Sequence, residues 1–299
     1  MIADRLNFQE GFVLDCIFVS DIHGLSERYF KLFKLIENEK PDAVFLGGDI
    51  LPSGMFMNYE THDIDGDFID DFLLVNFAEL KAKLGDNYPR VFMILGNDDG
   101  RNREVDFISG SEAGIWEYIH FKKAELGKYT VYGYSFVPPT PFRLKDWERY
   151  DVSRYVDPGC LSPEEGKYTV NVPEREKRYS TIKADLDDFA GDDDLENAIM
   201  LFHTPPYQTK LDRANLDGKM IDHVPLDVHV GSIALRRFIE ARQPLVTMHG
   251  HIHESASMTG SWKDALGRTQ MFSAAHDGRE LAVVRFDPEN LDKAVREII

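Results

Sequence analysis

The chain has 299 residues, is 43% hydrophobic, and carries 52 acidic against 34 basic residues for a formal net charge of −18. That length and apolar content suffice for one large α/β domain, while the charge repels phosphate backbones and argues against long nucleic acid as a partner. No run approaches the roughly 20 apolar residues of a membrane helix, and "MIADRLNFQEGF" lacks the basic start and apolar middle of a secretion signal; the expectation is a cytoplasmic protein with no membrane partner.

In chain order, "FVLDCIFV" reads as a buried strand that runs into "SDIHG". A helix follows over "LSERYFKLFKLIENEK", with Leu25, Tyr29, Phe33 and Ile36 at helical spacing and a stop before Pro41. The strand "AVFL" ends in "GGDI", after which residues 51–67 lack periodicity and read as an insertion near the site. Within it, "DIDGDFID" hints at a calcium loop, but Gly66 falls in the fourth place after Asp63 and the EF-hand geometry fails. "FIDDFLLVNFAELKAKLG" predicts a second helix closing at Gly85, and the strand "VFMIL" runs into "GNDDG".

The strand "YTVYGYS" precedes a longer insertion, residues 137–191, rich in proline, charge and tyrosine, and the acidic run "DLDDFAGDDDLE" over residues 185–196 reads as a solvated face or turn. "AIMLF" then ends in "HTPP", "GSIALRRFIEARQP" predicts a helix with Ser232 as N-cap and Pro244 as stop, and "LVTM" ends in "HGHIH". The strands "MFSAA" and "LAVVRF" follow, and the tail from Pro288 reads as a closing helix. This mixture predicts one domain over residues 1–299, built of two packed sheets flanked by helices, with insertions at 51–67 and 137–191. Cys16 and Cys160 lie far apart without CxxC spacing and read as reduced thiols.

Five strand ends thus deliver Asp, Asn or His into loops, and in open α/β sheets ligands bind beyond the carboxyl ends of the strands. Asp21, His23, Asp49, Asn97, His203, His251 and His253 make seven nitrogen or oxygen donors. That is too many for one tetrahedral ion but suits two ions sharing a bridging carboxylate. Asp49 is the natural bridge, since it follows two glycines and offers two oxygens.

These pieces, "SDIHG", "GGD", "GND", a lone His in "HTPP" and "GHIH", resemble the ordered motif set of the calcineurin-like metallophosphoesterase superfamily (DxH, GD, GNH, H, GHxH). The resemblance implies an α/β fold, a four-layer αββα sandwich of two mixed sheets, with a dinuclear site at the strand C-terminal edge. It implies one metal on Asp21, His23, Asp49 and His253 and another on Asp49, Asn97, His203 and His251. The cofactors would be two divalent ions, and mixed nitrogen and oxygen donors admit manganese, iron, zinc or nickel. The implied reaction is hydrolysis of a small phosphoester by a hydroxide bridging them, and a phosphodiester is the preferred substrate.

The chain departs from the pattern at Asp98, where many members carry a histidine that helps the leaving group. An aspartate with an ordinary pKa of about 3.9, near cations, is a poor proton donor at neutral pH. Asp98 is still the catalytic candidate by position, and the departure favours diesters or activated esters. Asn97, with His229 and His223 in "DHVPLDVHVGS", are the substrate-side candidates. His249 reads as a packing residue, His62, His120 and His276 as solvated, and "VPPTPF" with Trp147 as a pocket wall or a surface closure. Competing readings are a non-catalytic metal-binding scaffold, a nucleotide sensor, or a nuclease on the same fold. The scaffold calls for lost ligands, which this chain does not show, and the nuclease for a basic patch.

Overall fold

The computed structural model describes residues 14–53 and 66–299; His62, Asp63 and most of the 51–67 insertion lie outside them. The chain alternates β1 (Cys16–Val19), α1 (Ser26–Glu39), β2 (Ala43–Gly47), α2 (Leu74–Leu84), β3 (Arg90–Ile94) and α3 (Glu104–Glu112). Short β4 (Glu117–Tyr118) leads to β5 (Lys123–Leu126), β6 (Tyr129–Tyr134), α4 (Glu174–Tyr179), α5 (Ile182–Ala190) and β7 (Ala198–Phe202). A small hairpin, β8 (Met220–Ile221) and β9 (Val224–Pro225), precedes α6 (Ile233–Arg242), β10 (Val246–His249) and α7 (Ser255–Thr259). The chain closes with β11 (Lys263–Leu266), β12 (Thr269–Ser273), β13 (Ala282–Phe286) and β14 (Val295–Ile298).

The strands form two six-stranded mixed sheets, β14-β13-β1-β2-β3-β4 and β11-β12-β10-β7-β6-β5. The period-two alternation of side chains decides which face each residue serves. Phe18, Phe45 and Phe92 share one register line of the first sheet and pack with Ile199, Leu201, Met248 and Phe272 of the second, forming the core between the sheets. Their neighbours Ile17, Val19, Val44 and Met93 point the other way, onto Tyr29, Leu32, Ile36 and Phe77 of α1 and α2. On the far side Tyr132, Met200 and Phe202 meet Ile182, Leu186, Leu235 and Ile239 of α5 and α6. The result is the four-layer αββα sandwich expected above.

Helix ends follow their chemistry. Ser232 caps α6 by accepting from the Leu235 N–H at 3.0 Å, and Gln243 ends it in a left-handed conformation before Pro244. Asp67 accepts from Ile69 and Asp70 N–H at the head of a π-wound turn, Phe68–Leu73, that runs into α2. Three expectations need correction. The tail beyond Pro288 is not a helix but a 3₁₀ turn and then edge strand β14, paired antiparallel with β13 and tied to it by Arg285 and Glu297 at 2.9 Å, so pairing with a neighbouring strand decides its conformation. Residues 137–191 are not a bare insertion, because α5 puts Ile182, Leu186 and Ala190 into the core and Thr181 caps it. His120 is buried, not solvated, with its ring against Phe136 and Trp147 and its Nδ1 accepting from the Ser135 N–H at 3.0 Å.

Candidate metal centre

The loops after β1, β2, β3, β7 and β10 converge at one edge of the two sheets. Four of the seven predicted donors sit in the left-handed region, Asp21 at φ 55°, His23 at 50°, Asp49 at 51° and His251 at 72°. Non-glycine residues rarely adopt it, and such strain persists only where surrounding contacts over-determine it. Here the first two loops are laced by backbone bonds, Asp21 N–H to Gly48 O at 3.0 Å, His23 N–H to Asp49 O at 2.8 Å and Gly24 N–H to Ile50 O at 2.9 Å. Two motif glycines serve close approach: a Cβ on Gly96 would lie 2.3 Å from Asp49 Oδ1, and one on Gly250 would lie 2.5 Å from Asp21 Oδ2.

Asp21, His23, Asp49 and His253 bring one donor atom each within 4.8 Å of one another. His23 Nε2 stands 3.1 Å from His253 Nε2, which is 3.2 Å from Asp21 Oδ1. Beside them, His203 Nε2 lies 3.1 Å from Asn97 Oδ1 and 3.3 Å from Asp49 Oδ2, and the His203 and His251 rings are 5.2 Å apart. His203 donates its Nδ1–H to Gly47 O at 2.8 Å, which turns Nε2 inward. Asp49 therefore faces both groups. Asp21 Oδ2 is buried with no hydrogen-bond partner in the protein. A buried carboxylate oxygen left so is costly unless a cation meets it, and the mixed nitrogen and oxygen donors fit divalent ions.

A family model for calcineurin-like phosphoesterases matches residues 15–255. The chain belongs to this family. It is a metal-dependent phosphoester hydrolase. One solved structure, 16% identical, aligns over 96% of this chain and 99% of its own with a TM-score of 0.59. The TT1561 protein of Thermus thermophilus, also 16% identical, aligns over 96% and 99% with a TM-score of 0.53. Both likenesses speak for the fold. No curated protein matches the chain.

Within this phosphoesterase site, burial and charge work against each other. Burial alone would raise the Asp49 carboxyl, but His203 and His23 outweigh it and bring it down to about 2. Burial would lower His203, yet Asp49, Asp21 and the Gly47 carbonyl raise it to about 10. Burial carries His23 down to about 4, and burial with the His203 charge carries His251 down to about 3. Asp49 and His203 thus favour each other's charged form against the burial that opposes both.

Two residues, Asp99 and Arg28, escaped the sequence reading, and a third, Trp147, serves another role than the one expected. Asp99, fully buried, accepts from Ile50 N–H at 3.0 Å, Leu51 N–H at 2.7 Å and Gly96 N–H at 2.8 Å, tying the second loop to the third. Burial and the Asp49 charge raise its carboxyl to about 7. Trp147 is neither pocket wall nor surface closure: it is fully buried and donates its indole N–H to Asp99 O at 2.8 Å. Arg28, buried under the first loop, donates to the carbonyls of Asp21 and Gly278. The only sequence signal for Asp99 is its place beside Asn97 and Asp98 in "GNDDG".

The remaining candidates separate clearly. Asp98 leans onto the ligand loops, its N–H donating to Asp49 Oδ1 at 2.8 Å and its Oδ2 standing 3.6 Å from His23 Nδ1. Burial and the Asp49 charge raise its carboxyl to about 6, the opposite of what nearby cations would do. His229 donates Nδ1–H to fully buried Asp212 at 2.8 Å and is about one-quarter exposed, whereas His223 is exposed at the turn of the β8–β9 hairpin. His249 packs, stacked on Phe202, with Nδ1–H donated to Thr204 O at 2.8 Å. His276 lies near the surface between Asp277 and Glu280. Among the described residues no helix is long and apolar enough to cross a membrane.

Proposed function

We propose that this phosphoesterase hydrolyses small phosphodiesters with two divalent ions, one on Asp21, His23, Asp49 and His253 and the other on Asp49, Asn97, His203 and His251. The observation that carries the reading is the meeting of two donor groups at Asp49, beside a buried Asp21 oxygen with no other partner. Ions drawn from manganese, iron, zinc or nickel would supply an activated water and neutralise phosphate charge. The protein's own part is to fix the geometry. The laced loops hold Asp21, His23 and Asp49, Asp99 holds the third loop, and Gly47 O sets the His203 tautomer.

A diester suits the site because Asp98 stands where many members have a histidine, so leaving groups that need no proton are favoured. Asn97 and His229 are the substrate-side residues of this reading; Asp212 fixes the His229 tautomer and leaves its Nε2 free to meet substrate. His223 is the outlying member of that set. We read residues 1–299 as one domain acting in the cytoplasm, where the two free thiols stay reduced.

The test is metal-depleted protein reconstituted with one metal at a time and assayed on bis(p-nitrophenyl) phosphate and p-nitrophenyl phosphate. The expected result is metal-dependent turnover with the diester preferred. Two ions bound and no ester hydrolysed would favour the scaffold or sensor.

A further inference from the structure

We infer that Asp98 is a positioning residue for the metal ligands and not the proton donor its place in the motif suggests. The inference rests on the two-ion reading above. His23 turns Nε2 inward, 3.1 Å from His253 Nε2 and 3.6 Å from Asp49 Oδ2. Its other nitrogen, Nδ1, faces away from the donor cluster, toward Ser53 Oγ at 3.1 Å and Asp98 Oδ2 at 3.6 Å. The Ser53 hydroxyl also bonds Asp98, so hydroxyl, carboxylate and imidazole form one chain. The second oxygen of the same carboxylate accepts from Asn97 Nδ2 at 3.3 Å, which turns Asn97 Oδ1 toward His203.

One carboxylate therefore touches a proposed ligand of each ion. A metal-bound histidine whose outer nitrogen is held by an oxygen partner is fixed in tautomer and ring orientation; here that partner is the Ser53 hydroxyl, which Asp98 holds in turn, so Asp98 acts on His23 through Ser53 and from 3.6 Å away. The comparison within the site is His203, whose outer N–H goes to the neutral Gly47 carbonyl at 2.8 Å. His23 differs in having a charge behind it. A histidine at position 98 would bring no such charge, so the substitution that removes the usual proton donor also strengthens a ligand. Asp98 is mostly enclosed, with 18% of its side chain exposed, and both its oxygens face residues of the ligand loops.

The test is the affinity of Asp98→Ala for manganese, measured against a fluorescent chelator. The expected result is a loss of about 10- to 100-fold for the ion held by His23 and a smaller loss for the other. His253→Ala, which removes a ligand of the first ion only, identifies which ion is affected. Asp98→Asn, which keeps an acceptor oxygen without the charge, is expected to fall between Ala and wild type. If Asp98→Ala does not fold, Ser53→Ala carries the test by weakening the same ion. Unchanged affinity for both ions, with altered dependence of rate on leaving-group basicity, overturns the inference and returns Asp98 to the substrate. Wild-type protein that does not bind two ions would instead defeat the two-ion reading, so the two failures are distinct.

Discussion

The two sheets contribute to the site unequally. From the first come both carboxylates, the amide and one imidazole, Asp21, Asp49, Asn97 and His23; from the second come imidazoles alone, His203, His251 and His253. Each half is locked within itself. The first-sheet loops are laced by the backbone bonds from Asp21 to Gly24 and by Asp99, and the second-sheet loops by Gly250 N–H to His203 O at 2.9 Å and His249 to Thr204. Across the seam, carboxylates face imidazoles, His253 to Asp21 at 3.2 Å and His203 to Asp49 at 3.3 Å. The difference teaches that the site is a joint between two preformed halves. Under the two-ion proposal, ions held there would tie the carboxylate-bearing loops of one sheet to the imidazole-bearing loops of the other.

The sharpest way to break this division is at Asp49, the one donor facing both groups. Asp49→Asn is expected to weaken both ions together, each by more than the roughly 100-fold upper range typical of outer partners, while His253→Ala weakens mainly one. Chelator-competition titration distinguishes them, and two tight ions in Asp49→Asn would refute the bridge. Stripping the ions from wild type tests the joint as a whole. At metal concentrations near 1,000 times Kd, each bound ion stabilises by about 4 kcal/mol, so chelating both should lower the unfolding free energy by about 8 kcal/mol. An unchanged stability would mean that the ions do not bind the folded protein in preference to the unfolded chain.

A smaller effect is expected from Asp99→Ala, which acts within the first half alone. It strands three buried N–H groups, at about 1–3 kcal/mol for an unsatisfied group, and partial relaxation should leave a net loss of about 3 kcal/mol. Urea unfolding measures it. A loss confined to stability, with metal affinity intact, would show that the second and third loops hold their shape without their tie.

What was legible in the sequence follows the same division. The five ligand loops announce themselves because each ends a buried strand, and "GHIH" and "SDIHG" place donors two apart. The alternation of Phe18 against Ile17 and Val19 likewise gives the strand and its two faces. The supports of the loops do not show, since Asp99 ties its own loop to Ile50 and Leu51, and Trp147 reaches Asp99, across 48 or 49 positions. His120 misled for a related reason: its burial is set by Phe136 and Trp147, and a lone polar residue carries no local sign of an aromatic pocket. In residues 137–191 proline and charge hide the contribution to the core, because buried polar groups such as Lys145 and Glu148, paired at 2.5 Å, read as surface until their partners are known.

That segment offers the smallest and most selective test. Trp147 donates its indole N–H to Asp99 O at 2.8 Å and packs against Phe136 with ring centroids 5.6 Å apart. It therefore links residues 137–191 to the third ligand loop from behind. Trp147→Phe keeps an aromatic ring but removes the donor, leaving a buried carbonyl short of one bond. The expected loss of stability is about 1 kcal/mol, read by urea unfolding. The expected functional mark is a fall in kcat on bis(p-nitrophenyl) phosphate larger than any rise in KM, since the loosened loop carries Asn97, a proposed ligand of one ion as well as a substrate-side residue. Trp147→Ala, which also removes the ring, should cost about 3–5 kcal/mol and so separates packing from the bond. Were Trp147→Phe to change KM alone, residues 137–191 would act on the substrate directly and not as a brace for the first sheet's loops.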